Sequence, residues 1–130
     1  MDYEFIKVDI QNEMAIIEMD RKHELNALSR GMLSEIKHVF SSYLSQEKDI
    51  RLVILTGGEE CFSAGIDLKE APYYTGEEAA SYFSLAVEIY SMLLDYDKIL
   101  ITAVSGIAFG GGFNLALMGD IILASESAIF

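Results

Sequence analysis

The sequence predicts an α/β protein built on a largely parallel sheet, and three observations lead there. Short apolar runs suited to strands alternate with stretches whose apolar residues return every three or four positions. Parallel strands need crossover connections, which those helical stretches supply. Glycine clusters follow two of the strand-like runs, as expected where strands lead into loops.

Taken in order, Phe5 to Ile10 and Met14 to Met19 are rich in Ile, Val and Met with polar interruptions, and Gln11-Asn12-Glu13 between them reads as a hairpin turn. From Gly31 to about Leu44, the residues Met32, Leu33, Ile36, Val39, Phe40, Tyr43 and Leu44 recur at helical spacing and predict an amphipathic helix. Arg51 to Thr56, closed by Gly57-Gly58, suits a parallel strand buried on both faces. A second helix is expected from Glu77 to about Leu94, with Ala80, Phe83, Ala86, Val87, Tyr90 and Leu94 on one side and Thr75 near its start. Ile99 to Val104 reads as a strand, Gly110 to Met118 as a short helix and Asp120 to Ala124 as a last strand. The order is β-β-α-β-α-β-α-β. No repeat, linker or charge block divides residues 1–130, so no second domain is expected.

Composition narrows the function. With 52% hydrophobic and 23% charged residues and a single proline, the chain is expected to be globular. Apolar runs such as Ile99 to Val104 fall far short of the roughly 20 residues that cross a bilayer, so no membrane partner is expected. The acidic start Met1-Asp2-Tyr3-Glu4 lacks the marks of a secretory signal, which makes the expected compartment cytoplasmic. A net charge of -12, with nine Lys and Arg spread along the chain, argues against a nucleic-acid partner. Any anionic ligand would then rely on local cations or backbone N–H groups. His23 and His38 have no supporting Asp or Ser at useful spacing and read as surface residues. Cys61 reads as a small buried hydrophobe. No metal-ligand spacing is present, and no metal is expected.

Two glycine-bearing segments are the candidates for chemistry, although glycine at a strand-loop-helix junction also serves plain turn geometry, and each alone is a weak signal. Cys61 to Glu70 follows the Arg51–Thr56 run, and its small residues Ser63, Ala64 and Gly65 let a ligand approach the backbone. Ser105 to Leu115 follows the next strand and places Gly110-Gly111-Gly112 at a helix start, where unpaired N–H groups meet negative charge favourably. Gly106 to Gly111 has phosphate-loop spacing, but Gly112-Phe113 stands where Lys and then Ser or Thr are required. Neither cluster has the dinucleotide spacing after a first strand.

Together the segments resemble the enoyl-CoA hydratase/isomerase (crotonase) superfamily. Asn26-Ala27-Leu28 ends a stretch from Arg21 that is similar to the family's R-P-x-x-x-N-A-L signature, with Lys22 at the proline. Phe62-Ser63-Ala64-Gly65-Ile66-Asp67-Leu68 matches F-x-A-G-x-D-L, Gly106 to Gly112 matches G-x-x-x-G-G-G, and Asp120 to Ala124 matches D-x-x-x-A. The resemblance implies a crotonase-like (ClpP/crotonase) spiral of ββα units, incomplete at the C-terminus. The abrupt stop at Phe130 is read in the same way, as a fragment or an edge covered by another copy.

The resemblance also implies roles. The backbone N–H groups of Ile66 and Gly111 would form an oxyanion hole for an acyl thioester. Ile66 would line the acyl pocket, and Ala64, Gly65, Asp67, Leu68 and Gly110 would bind substrate, Asp67 as a loop-fixing acceptor rather than a catalytic acid. Coenzyme A enters only as part of the substrate, presented as acyl-CoA or on an acyl carrier protein, and no separate cofactor is implied. Asn114 occupies the place of the first glutamate of hydratases, and the second would fall just past Phe130. Asn transfers no proton near neutral pH, so an isomerase or another single-base reaction is favoured over two-glutamate hydration. A thioester decarboxylase and a catalytically deficient binding or assembly protein are the alternatives. Arg21, Lys22 and Lys69 are candidates for the CoA phosphates or plain surface charges. A homotrimer or hexamer is the oligomer the resemblance implies.

Overall fold

The computed structural model describes residues 2–130. A five-stranded sheet runs in the order β1-β2-β3-β4-β5, with β1 (Ile6–Gln11) antiparallel to β2 (Met14–Met19). The parallel strands β3 (Leu52–Thr56), β4 (Ile99–Val104) and β5 (Ile121–Ala124) follow. Helix α1 (Arg30–His38) connects β2 to β3, α2 (Gly76–Leu94) connects β3 to β4, and α3 (Gly111–Ala116) connects β4 to β5. This is the element order expected from the apolar periodicity. None of these helices is long and apolar enough to cross a membrane.

The hairpin turns through Asn12, whose φ of 56° lies in the left-handed region that Asn tolerates. Ser29 caps α1, its side chain accepting from the Met32 N–H. Thr75 and Glu78 close a reciprocal capping box on α2. Ala15, Ile17, Met19, Val53, Leu55, Leu100 and Val104 alternate along β2, β3 and β4 and are buried beneath the helices.

Four expectations are corrected. The first helix is α-helical only to His38 and continues as a π turn, Val39–Tyr43, before a last short turn at Leu44–Gln46. The wider turn, closed by Leu44 N–H on the Val39 carbonyl, keeps Val39, Phe40 and Leu44 all buried, which periodicity alone does not reveal. Strand β3 buries Val53 and Leu55 on one face but leaves Leu52, Ile54 and Thr56 half-buried on the other. Helix α3 is shorter than the Gly110–Met118 span.

The fourth correction concerns α2. The helix buries Tyr82, Ala86, Ile89 and Leu93, whereas Phe83, Val87 and Leu94 are 57%, 61% and 65% exposed. Both flanks of this helix are apolar, so the period did not identify which flank meets the sheet.

Because β2, β3 and β4 are parallel neighbours, the loops leaving their C-terminal ends emerge side by side. These are the stretches from Asp20 to Ser29, from Gly57 to Glu70 and from Ser105 to Gly110. Open parallel sheets place their ligand sites at this end.

Candidate functional site

Asn26 ties the three loops together. It is fully buried with φ 50°, and its amide nitrogen donates to the carbonyls of Gly57 (3.0 Å) and Cys61 (2.9 Å). Its side-chain oxygen accepts from the Arg21 N–H at 2.8 Å. Ser63 donates to the Asn26 carbonyl at 2.7 Å, and the Phe109 N–H donates to the Ser63 carbonyl at 3.0 Å, which joins the second glycine segment to the first. Cys61 is buried, its thiol against the Leu25 carbonyl, and burial pushes its pKa up, as befits the expected small hydrophobe.

Asp67 is buried and pairs with the half-buried Arg21, which also donates to the Ala27 carbonyl and lies over the Phe5 ring. Its other oxygen accepts from the N–H groups of Lys69 (2.8 Å) and Glu70 (3.2 Å). Burial alone would raise the Asp67 pKa, but the Arg21 hydrogen bond, these two N–H groups and the Arg21 charge outweigh it and hold the carboxyl below its ordinary value. Arg21 is thus engaged inside the fold, while Lys22 pairs with Glu18 and Lys69 with Glu24 at the surface. His23 is exposed as expected, whereas His38 is half-buried and shares a 2.9 Å hydrogen bond with the Tyr3 hydroxyl.

Backbone orientation is set at Gly65. Its carbonyl accepts from the Leu28 N–H at 2.7 Å. The Gly65–Ile66 peptide bond is trans, so the N–H on the same peptide unit, that of Ile66, points the opposite way. Gly65 has φ 94°, and a Cβ there would stand 2.7 Å from the Phe109 oxygen and 3.1 Å from the Gly111 nitrogen. Only glycine lets the two loops meet this closely. Among the described residues, neither the Ile66 nor the Gly111 N–H has a protein acceptor. Two free donors on abutting loops can receive the oxygen of a polarised carbonyl.

Ile66 divides two hollows. One, of about 310 Å³, is walled by Tyr82, Phe83, Ala86, Val87, Tyr90, Gly111 and Asn114 together with Ile66. The other, of about 190 Å³, lies against Ala27, Ala64, Asp67, Leu68 and Lys69. The first has no Asp, Glu, His, Lys or Arg in its wall. Ala64 is held by its N–H on the Leu25 carbonyl, Gly110 has φ 51° and accepts from the Asn114 N–H, and Leu68 is exposed. A larger depression bounded by Phe5, Asp20, Lys22 and Glu60 is apart from both glycine segments.

Sequence reasoning missed Tyr82 and Tyr90 as site residues. Tyr82 donates to the Leu28 carbonyl at 2.7 Å, and Tyr90 to the Gly111 carbonyl at 3.1 Å. Burial raises the pKa of both hydroxyls, and the nearby Asn114 amide offsets part of the rise at Tyr90. Both therefore remain protonated donors at neutral pH. The tyrosines on α2 were visible, but their partners lie two or more elements away.

Comparison with known proteins covers nearly the whole chain. The sequence profile described as enoyl-CoA hydratase/isomerase matches residues 9–130. The chain belongs to that family. It is 38% identical over 120 residues to a probable mitochondrial enoyl-CoA hydratase of Dictyostelium discoideum, covering 92% of this chain and 42% of that protein. It is 31% identical over 132 residues to methylmalonyl-CoA decarboxylase of Escherichia coli K12, covering 100% of this chain and 49% of the relative. The crystal structure of an enoyl-CoA hydratase from Bacillus anthracis superposes with a TM-score of 0.91 at 35% identity, over 96% of this chain and 49% of the other. The fold is the crotonase fold of this family. The chain spans about half the length of the relatives it matches.

Proposed function

We propose that this chain supplies the thioester cradle of an acyl-CoA enzyme. The carrying observation is the Gly65 peptide, whose carbonyl is tied to Leu28 and where an added Cβ would stand 3.1 Å from the Gly111 nitrogen. The N–H groups of Ile66 and Gly111 then hold the thioester oxygen, with the acyl group in the hollow under α2 and the CoA arm passing Ile66 towards Ala64, Asp67 and Leu68. Reaction at the α or β carbon moves negative charge onto that oxygen. Each fixed donor aimed at such charge typically contributes about 3–4 kcal/mol to catalysis.

A proton must still be moved, and the hollow under α2 has no ionisable carboxylate or imidazole in its wall. Asn114 can hold a substrate or water by hydrogen bonds but does not act as a base. We therefore favour a single-base reaction, isomerisation or decarboxylation, over two-glutamate hydration; the decarboxylase among the relatives supports keeping that second reading. Coenzyme A enters as part of the substrate, and no separate cofactor is proposed.

The test is calorimetric titration of the complete protein with a non-reactive acyl-CoA, followed by turnover assays with enoyl- and malonyl-type thioesters. Saturable binding with turnover supports the enzyme, binding without turnover assigns a thioester-binding protein, and absence of binding overturns the cradle. Gly111→Pro removes one donor and, with a Cβ there 3.2 Å from the Tyr90 hydroxyl and 3.3 Å from Leu28 Cδ1, also disturbs the helix start. It should lower turnover about 100-fold or more. Undiminished turnover would count against Gly111 as a donor.

A further inference from the structure

Tyr90 does more than fill space beneath the first turn of α3. Its hydroxyl lies 3.1 Å from the Gly111 carbonyl and donates to it. The same hydroxyl stands 3.2 Å from where a Gly111 Cβ would be, with Leu28 Cδ1 at 3.3 Å, so Gly111 is held between Tyr90 and Leu28. Asn114, one turn along α3, lines the same hollow as Tyr90 and Gly111.

A phenol has a single proton, and here the Gly111 carbonyl takes it. That bond fixes the first turn of α3, to which Asn114 also belongs. One hydroxyl thus holds the turn from which two groups of the wall arise.

We propose that Tyr90 is a positioning residue of the thioester site, its hydroxyl clamping the first turn of α3 so that the Gly111 N–H and the Asn114 carboxamide keep fixed directions. The inference rests on the cradle reading above. Tyr90 acts through Gly111 and Asn114 and need not touch the reacting atoms. Removing its hydroxyl should weaken stabilisation of an anionic thioester oxygen more than it weakens binding of a neutral acyl chain.

The experiment uses the complete protein and two probes. Butyryl-CoA reports binding of a neutral thioester. Acetoacetyl-CoA reports oxyanion stabilisation: its α carbon–hydrogen bond breaks, the proton passes to water and the electron pair spreads onto oxygen, giving an enolate with its own near-ultraviolet band. The pH midpoint for that band is measured on wild type, Tyr90→Phe and Asn114→Ala.

In the wild type the midpoint should lie below that of the free probe. Tyr90→Phe should move it up by about one pH unit, so that about tenfold less enolate is present below the midpoint, while butyryl-CoA affinity changes less than about threefold. Asn114→Ala, at an exposed position, should shift it the same way by a smaller amount. An unchanged midpoint in Tyr90→Phe, or equal losses for both probes, overturns the positioning role. Should Tyr90→Phe not fold, an unchanged midpoint in Asn114→Ala overturns it instead. Failure of the cradle reading appears separately, as a wild type that binds neither probe.

Discussion

Asn26 lines neither hollow, yet its side chain engages the Arg21 N–H and the Gly57 and Cys61 carbonyls in a fully buried position. Asn26→Ala leaves those groups unpaired and places alanine at φ 50°, so unfolding in urea should show a loss of about 3 kcal/mol. Asp67 is sensitive to pH. Its folded pKa is depressed, so its stabilisation is present above the unfolded carboxylate value of about 3.9 and is lost as pH falls through the lower folded value. Asp67→Asn should flatten this acid limb and cost about 2–4 kcal/mol at pH 7 by leaving Arg21 unpaired. Urea midpoints measured from pH 2 to pH 7 check both effects, and an unaltered acid limb would remove Asp67 as its source.

At the scale of elements, α2 performs two tasks with two faces. Ala86, Ile89 and Leu93 anchor it to the core, while Phe83 and Val87 roof the hollow beside Ile66. Val87→Trp should shorten that hollow without disturbing the anchor. Titration with acyl-CoA probes of different length should then show affinity for a ten-carbon chain falling at least about tenfold more than for a four-carbon chain. Equal losses would move the acyl chain elsewhere. The reciprocal Thr75–Glu78 cap contributes separately, and Thr75→Ala should cost about 1 kcal/mol in thermal or urea unfolding.

Across the whole molecule, apolar surface is unevenly covered. Ile121, Ile122 and Leu123 of β5 are exposed at the edge of the sheet, and Leu52, Ile54 and Ile101 are only half-buried on the face away from the helices. Edge strands of this kind pair with other chains unless covered. Sedimentation velocity of the 130-residue chain should therefore show association that grows with concentration and recedes in Ile122→Lys. A single concentration-independent monomer would contradict this. The net charge of -12 opposes association at low salt, so added salt should strengthen it.

The sequence by itself determined the element order, the parallel connections and the two glycine segments, because strand and helix periods and glycine clusters are local properties written along the chain. Resemblance to the family's motifs likewise singled out Ile66, Gly111 and Asn114 as expected site residues. Tertiary structure alone decided the rest. Burial of one flank of α2 depends on where the sheet lies, and the π turn after His38 depends on what Val39, Phe40 and Leu44 must reach. The pairing of Arg21 with Asp67 and of Tyr90 with Gly111 joins residues distant in sequence. Those bonds form because parallel strands deliver their loops to one end of the sheet, and no periodicity along a single segment records which loop atoms will meet there.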